Sequence, residues 1–410
     1  MDDKPRNLRT MLAEAKDTSE LMVDLAYAAV YFGDPEMAEE VDSLEEDLTD
    51  LVADMRALCV LAVRSPKEAA AMSSVLQVIS AIERIGNDAV DVGRVVTHKL
   101  GIPQQFLVDL AEAEEVSHRV LVSDGSHMAH RPLAALELPV AAGMRVMAVR
   151  RDRTWITDLS GDFVLVPGDV LFLRGSPAGI GRLRQLAAAE VWQAPVAVEG
   201  TTVTDLDRAV DVLVEMKNLS EVAVGLAYSA IVLGDRGLVA EVRHLEGRLD
   251  EMRDHLELWV LRAAKDNVDP SPLRGLLHLA EAAEDIGDQA QQMVSLIEDQ
   301  DELHPILGLA LGESDEVVMQ VPVAEGSVCE GRTLAELQLD IEPGFSVLAI
   351  RRGGGYLYRP SSRVVLNADD ELIAVGPDEG RRLLASMCGW LLRDDEETGE
   401  RELLPVALSR

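Results

Sequence analysis

The sequence predicts an α+β multidomain protein in which antiparallel helical bundles alternate with small α+β domains. Three observations predict it. The chain matches itself at a fixed offset of 201 residues. The first part of each repeat carries apolar residues at steps of three and four. The second part shortens its period and gains Gly, Pro and β-branched residues, the pattern of strands and turns.

The repeat fixes the architecture. SELMVDLAYAAVYFGDPEMAEEVDSLEEDL from Ser19 matches SEVAVGLAYSAIVLGDRGLVAEVRHLEGRL from Ser220 at nearly half the positions. The same shift brings Gly33-Asp34 onto Gly234-Asp235, AIERIGNDA onto AAEDIGDQA, Gly143 onto Gly344, and Arg150-Arg151 onto Arg351-Arg352. No gap is needed, so each repeat is about 200 residues long.

Each element then follows from local pattern. Val41, Leu44, Leu48, Leu51, Met55 and Leu58 form one apolar helix face, repeated by Val242, Leu245, Leu249, Met252, Leu256 and Trp259. Gly33-Asp34-Pro35 and Ser65-Pro66 break the pattern where one helix ends and another begins. A third stripe runs through Met72, Val75, Ile79, Ile82 and Ile85, giving a bundle. In the second repeat, strands are expected at 317–323, 346–351 and 371–375, with a short helix at 333–339 and a closing helix from Asp378. The expected order is a bundle at 1–103, an α+β domain at 104–190 and a linker at 191–203. A bundle at 204–304, an α+β domain at 305–389 and a solvated acidic tail at 390–410 complete it.

Composition excludes several functions. With 38 Lys and Arg against 73 Asp and Glu the formal charge is −35, which repels phosphate backbones and disfavours nucleic-acid binding. No apolar run reaches the ~18–20 residues of a membrane-spanning helix, and the polar opening MDDKPRNLRT lacks the apolar core of a secretory signal. A cytoplasmic protein is expected. Cys59, Cys329 and Cys388 show neither paired-Cys nor Cys/His spacing, so buried, reduced and inert thiols are expected rather than disulfides or zinc. Phosphate-cradling Gly motifs and a nucleophile elbow are absent, which points away from ATP, NAD and an enzyme.

Two patterns carry chemistry. Glu284 and Asp288 stand four apart on one predicted helix face, a spacing that can hold a metal. The first repeat has Glu83 and Asn87 there, and in so acidic a chain such pairs also arise as solvated surface. The doublets Arg150-Arg151 and Arg351-Arg352 end the central strand of each α+β domain. Such a doublet can grip the phosphates of a small anion, or it can form salt bridges to the abundant acids.

In VPVAEGSVCEGRTLAELQLDIEPGFSVLAIRRGG followed by NADDELIAVG, and in GMRVMAVRR with VPGDVLFLRG, the α+β domains resemble the TrkA-C (RCK-C) ligand-binding domain of potassium-transport regulators. The helical parts, with ELMVDLAYAAVYFGD and ERIGNDA or EDIGDQA, resemble PhoU domains. The resemblance implies a soluble regulatory subunit, paired as a homodimer, that controls a membrane cation transporter or channel, potassium foremost. It implies a cyclic di-AMP groove between paired TrkA-C domains. The matching positions are Val347, Leu348, Ile350, Arg351, Arg352 and Pro360, and Val146, Met147, Val149, Arg150 and Arg151 in the first repeat. PhoU domains often hold metal clusters on E-x-x-x-D motifs, which implies a divalent or iron site at Glu284 and Asp288. Alternatives are a metal-binding adaptor of phosphate uptake and a regulator of a divalent-cation transporter.

Overall fold

The computed structural model describes residues 7–111, 113, 115–190, 204–266, 270–299, 303–312, 314–394 and 401–405. The expected linker 191–203 lies outside the described residues. The first repeat contains α1 (Leu8–Phe32), α2 (Pro35–Ala62), α3 (Pro66–Thr97), α4 (Gln104–Leu110), β1 (Val116–Leu121), α5 (Leu138–Ala142), β2 (Met144–Arg151), β3 (Thr154–Ile156), β4 (Val170–Gly175) and α6 (Ile180–Leu186). The second contains α7 (Asp205–Leu233), α8 (Arg236–Asp266), α9 (Ser271–Asp299), α10 (Pro305–Leu311), β5 (Glu316–Pro322), α11 (Leu334–Leu337), β6 (Ser346–Arg352), β7 (Gly355–Tyr358), β8 (Glu371–Pro377), α12 (Arg381–Met387), β9 (Trp390–Asp394) and β10 (Arg401–Pro405). Like halves associate: residues 1–117 with 194–314 form a helical unit, and 118–193 with 315–410 form an α+β unit.

In the helical unit, the repeated Gly-Asp is punctuation between helices. Gly33 ends α1 at φ +62 and Gly234 ends α7 at φ +63, a left-handed conformation that glycine adopts without a Cβ penalty. Asp34 then caps α2 by accepting from the Glu36 and Met37 amides, with Pro35 in the first helical position. Asp235 accepts from the Gly237 amide at 2.7 Å in the same way. The Ile-Gly of the third helices serves close packing. A Cβ on Gly86 would lie 2.7 Å from Leu48 Cδ2, and one on Gly287 would lie 2.3 Å from Leu249 Cδ1.

The two bundles join through α3 against α9, with α10 on α1 and α7, and α4 on α7. Each repeat also reaches into the other. Lys16 of α1 is 3 % exposed, pairs with Glu20 at 2.6 Å and lies 5.1 Å from the centre of the Tyr228 ring. Lys217 pairs with Glu221 at 2.8 Å and lies 5.4 Å from the Tyr27 ring, so the clasp has approximate two-fold symmetry. Among the described residues, α7 has an 18-residue window apolar enough for a membrane span, but 72 % of that window is buried inside the protein, as in a core helix.

The α+β unit holds two four-stranded sheets of equal topology, β1-β4-β2-β3 and β5-β8-β6-β7, so β2 and β6 each lie between a partner strand and a short hairpin strand. The two domains meet isologously. A Cβ on Gly143 would fall 2.5 Å from the carbonyl oxygen of Asp340, and one on Gly344 would fall 2.4 Å from that of Pro139. The offset carries Gly143 onto Gly344 and Pro139 onto Asp340, so one contact is made twice. Ser176 Oγ donates to Asp340 Oδ2 at 2.7 Å across the same junction, and Arg145 stands 3.6 Å from Glu316.

The C-terminal stretch differs from the expected tail. β9 and β10 pair antiparallel, with Trp390 opposite Pro405 and Leu392 opposite Leu403. Trp390, Leu392 and Leu403 pack on the core of the second domain, and Trp390 Nε1 donates to the Pro322 carbonyl at 2.6 Å. Burial of these apolar side chains holds the two strands on the domain. Residues 395–400 and 406–410 lie outside the described residues.

Candidate ligand-binding face

The arginine doublets sit where the central strand of each sheet meets its hairpin, and alternation sends the two side chains to opposite faces. The second arginine of each doublet is held by the protein itself. Arg352 Nε and Nη2 reach the two carboxylate oxygens of Asp370 at 2.7 and 2.5 Å, and Nη2 also donates to the Val365 carbonyl at 2.8 Å. Asp370 is 1 % exposed and accepts from the Asn367 amide at 2.7 Å. Arg151, Asp169, Val164 and Val166 repeat this arrangement at 2.8 to 3.0 Å. The hydrogen bonds they donate to Asp169 and Asp370 hold both guanidinium groups above their ordinary pKa.

The Pro-Gly-Asp turn of the first domain therefore survives in the second as Ala-Asp-Asp. Asp369 takes the place of Gly168 at φ +67, a conformation that aspartate adopts more readily than most residues. The conserved feature is the buried carboxylate that follows.

The first arginine of each doublet faces an aromatic ring instead. Register places Arg150 opposite Trp155 and Arg351 opposite Tyr356. The Arg150 guanidinium lies 5.7 Å from the Trp155 ring centre, and Tyr356 stacks on Tyr358 with ring centres 5.3 Å apart. Arg351 also pairs with Glu371, at whose position the first domain has Val170. Burial lowers the Arg351 pKa, but Glu371 and Tyr356 outweigh it, so the net shift is upward. With aromatics only 3 % of the chain, an aromatic that recurs at the 201-residue offset behind an arginine was a readable signal. The sequence reading omitted Trp155, Tyr356 and Tyr358.

The other expected positions divide by exposure. Ile350 and Val149 are fully buried, Met147 and Leu348 are 2 % and 7 % exposed, and Val146, Val347 and Pro360 are partly exposed. Both strands are irregular at the same point, between Val146 and Ala148 and between Val347 and Ala349. A bulge there puts Met147 and Leu348 out of simple alternation. Each domain thus offers a patch of one arginine and one or two aromatic rings, while the register puts Val146 and Val347 on the opposite face, where Val347 packs against the core. The arrangement can bind an anionic group on the guanidinium and a flat ring on the aromatic face.

The acidic pair lies in the helical unit. Glu284 is 6 % exposed, and its Oε2 accepts from Arg253 at 2.6 Å. Burial pushes its carboxyl up to about 7, Arg253 opposes this, and a hydrogen bond with Asp250 adds to the rise. Burial also raises Asp288, with Asp250 adding to it. Glu83 has an arginine too, accepting from Arg56 at 3.1 and 2.6 Å. Among the described residues, no three His, Cys, Asp or Glu side chains come together as a metal site.

Residues 118–188 and 318–389 match the TrkA-C domain family, and residues 12–96 and 213–297 match the PhoU domain family. Among solved structures, PhoU from Pseudomonas aeruginosa is 14 % identical over 71 % of this chain and 93 % of that one, with a TM-score of 0.38. The GsuK channel bound to NAD is 14 % identical over 77 % of this chain and 65 % of that one, with a TM-score of 0.18. The GsuK RCK domain is 13 % identical over 77 % and 78 %, with a TM-score of 0.17. No curated protein matches the chain.

Proposed function

The chain is a tandem of two PhoU domains and two TrkA-C domains, modules of regulation linked to ion transport, and from that premise we propose that it is a ligand-sensing regulator of a membrane cation transporter. Potassium is the proposed cation. The proposed ligand is a small phosphate-bearing molecule with flat bases, cyclic di-AMP in particular. The observation that carries this reading is the repeated pairing of an arginine with an aromatic ring, Arg150 with Trp155 and Arg351 with Tyr356. Arg151 and Arg352 are engaged by the turn carboxylates, so the first arginine of each doublet is the one assigned to the phosphates.

Ligand bound to the TrkA-C pair would favour one arrangement of the chain, and the PhoU domains would pass that preference to the membrane partner. Such coupling is typically worth ~1–3 kcal/mol and requires different affinities for two states. Because the two TrkA-C copies meet within one chain, a single chain supplies the pair that the expected homodimer would otherwise supply.

Titration calorimetry with cyclic di-AMP, in high salt and after metal removal, tests the reading. Binding to the native chain, weakened in Arg351→Ala and in Arg150→Ala with folding intact, is the expected result. Absence of binding at every salt concentration, or unchanged affinity in both variants, would overturn it.

A further inference from the structure

The chain has three cysteines, and two of them touch. The sulfurs of Cys329 and Cys388 lie 3.7 Å apart, and neither side chain is exposed. The third, Cys59, is buried in α2 of the helical unit. The 201-residue offset puts Met128 and Ala187 at the matching positions of the first TrkA-C domain, so this thiol pair occurs in one copy only. Their backbones are already tied. The Cys329 amide donates to the Met387 carbonyl at 3.2 Å, and the Ala324 amide donates to the Cys388 carbonyl at 2.9 Å.

The pair occupies a strategic place. Cys329 is in the loop after β5, and Cys388 ends α12 immediately before the hairpin of β9 and β10. A covalent link there would enclose β6, β7 and β8, the strands that carry Arg351, Tyr356 and Glu371. The thiols also differ chemically. The Cys388 thiol supports the Cys329 sulfur by hydrogen bonding and Arg332 adds a positive charge, which together lower the Cys329 pKa, while the same contact and burial raise that of Cys388.

We infer that Cys329 and Cys388 are a reversible dithiol–disulfide pair, oxidised by a peroxide, that locks the second TrkA-C domain and leaves the first unaffected. The Cys329 thiolate attacks one peroxide oxygen; the O–O bond breaks, and the other oxygen leaves as water or alcohol with the proton that Cys329 gave up. The resulting sulfenic sulfur is attacked by Cys388. The S–S bond forms, the S–O bond breaks, and the hydroxyl leaves as water with the Cys388 proton. Two thiols are oxidised and one peroxide is reduced.

The full chain is treated with hydrogen peroxide, and separately unfolded and refolded in glutathione buffers of graded redox poise, so that burial does not decide the outcome. Free thiols are alkylated and the peptides mapped by mass spectrometry. The expected result is a single intrachain Cys329–Cys388 link, with free thiols falling from three to one, and full return on reduction. The linked protein should melt several degrees higher. Cys329→Met with Cys388→Ala, which installs the first domain's own residues, should fold and lose both responses. A refolded chain that stays reduced in the most oxidising buffer, or links that join chains or involve Cys59, would overturn the inference. Thiol mapping needs no ligand, so its outcome is separate from that of the calorimetry.

Discussion

Asp88 lies on α3, the helix that packs against α9, and its carboxyl is pushed up to about 8. Burial is the main cause; Asp285 and Asp91 add to it, Arg84 opposes and Asp288 contributes least. An unfolded aspartate titrates near ~3.9. Below that value Asp88 is protonated in both states and costs nothing. As pH rises from about 4 to about 8, the unfolded state gives up its proton while the folded state keeps it, so stability falls across that window. At pH 7 the gap from the unfolded value is ~3 pH units, which at about 1.4 kcal/mol per unit sets an upper bound of roughly 4 kcal/mol. Structural relaxation and water penetration reduce such costs, and about 2 kcal/mol is expected. Asp88→Asn keeps the shape of the protonated acid and removes the titration. An amide is compatible with this surface, since the second repeat has Gln289 at the equivalent position, donating to the Asp285 carbonyl at 3.2 Å. Urea unfolding of native and variant chains from pH 4.5 to pH 8 measures the difference. The variant should gain stability at pH 7 to 8, and the gain should shrink towards pH 4.5. A gain independent of pH, or a loss at pH 8, would refute the reasoning.

Gly143→Ala would place a methyl 2.5 Å from the Asp340 carbonyl at a backbone φ of +58; a loss of ~2–3 kcal/mol and separation of the two TrkA-C copies are expected, read by calorimetric melting and small-angle scattering. Asp370→Ala would strip Arg352 and the Asn367 amide of their acceptor; because Arg352 remains able to reach water, about 2 kcal/mol should be lost, with faster amide exchange around residues 365–370. A double-mutant cycle of Lys16→Met and Tyr228→Leu should return a coupling of ~1 kcal/mol, and zero coupling would remove the ring from the account of how the repeats clasp.

Much of the fold is legible because its signals are local. Helical stripes, the Gly33-Asp34 punctuation and the strand spacing each depend on residues within a few positions of one another, and the duplication states each twice. What escaped depends on distance. That Arg352 belongs to Asp370 is decided by a turn bringing residues 18 apart together, and the sequence offered only a doublet in an acidic chain. The hairpin of β9 and β10 escaped because RDDEETGERE reads as solvated, while its apolar anchors, Trp390, Leu392 and Leu403, lie at and beyond the edges of that run. The thiol contact spans 59 residues and has no spacing rule to reveal it. The Ile-Gly motif was readable as a recurring feature, but its reason, Leu249 lying over Gly287, is a packing fact.

Fusion of the two copies in one chain has a physical consequence that a symmetric dimer would not share. In a homodimer each substitution appears on both sides of the axis, whereas here each side can change alone. The structure bears the marks of such separate change. Arg351 faces Glu371 where Arg150 has Val170, the thiol pair replaces Met128 and Ala187, and Gln289 stands where the first repeat keeps Asp88. The features left alike are those that both copies need: the buried turn carboxylates, the glycines at the junction, and the arginine–aromatic register. A ligand with two equivalent halves would therefore meet similar chemistry from both copies but unequal affinity. Arg351 must leave Glu371 to engage a phosphate fully, and the first copy has Val170 at the position of Glu371. Glu371→Val, which makes the second copy match the first, should then tighten binding of cyclic di-AMP several-fold; weaker or unchanged binding would show that the Glu371 carboxylate orients Arg351 rather than competing for it.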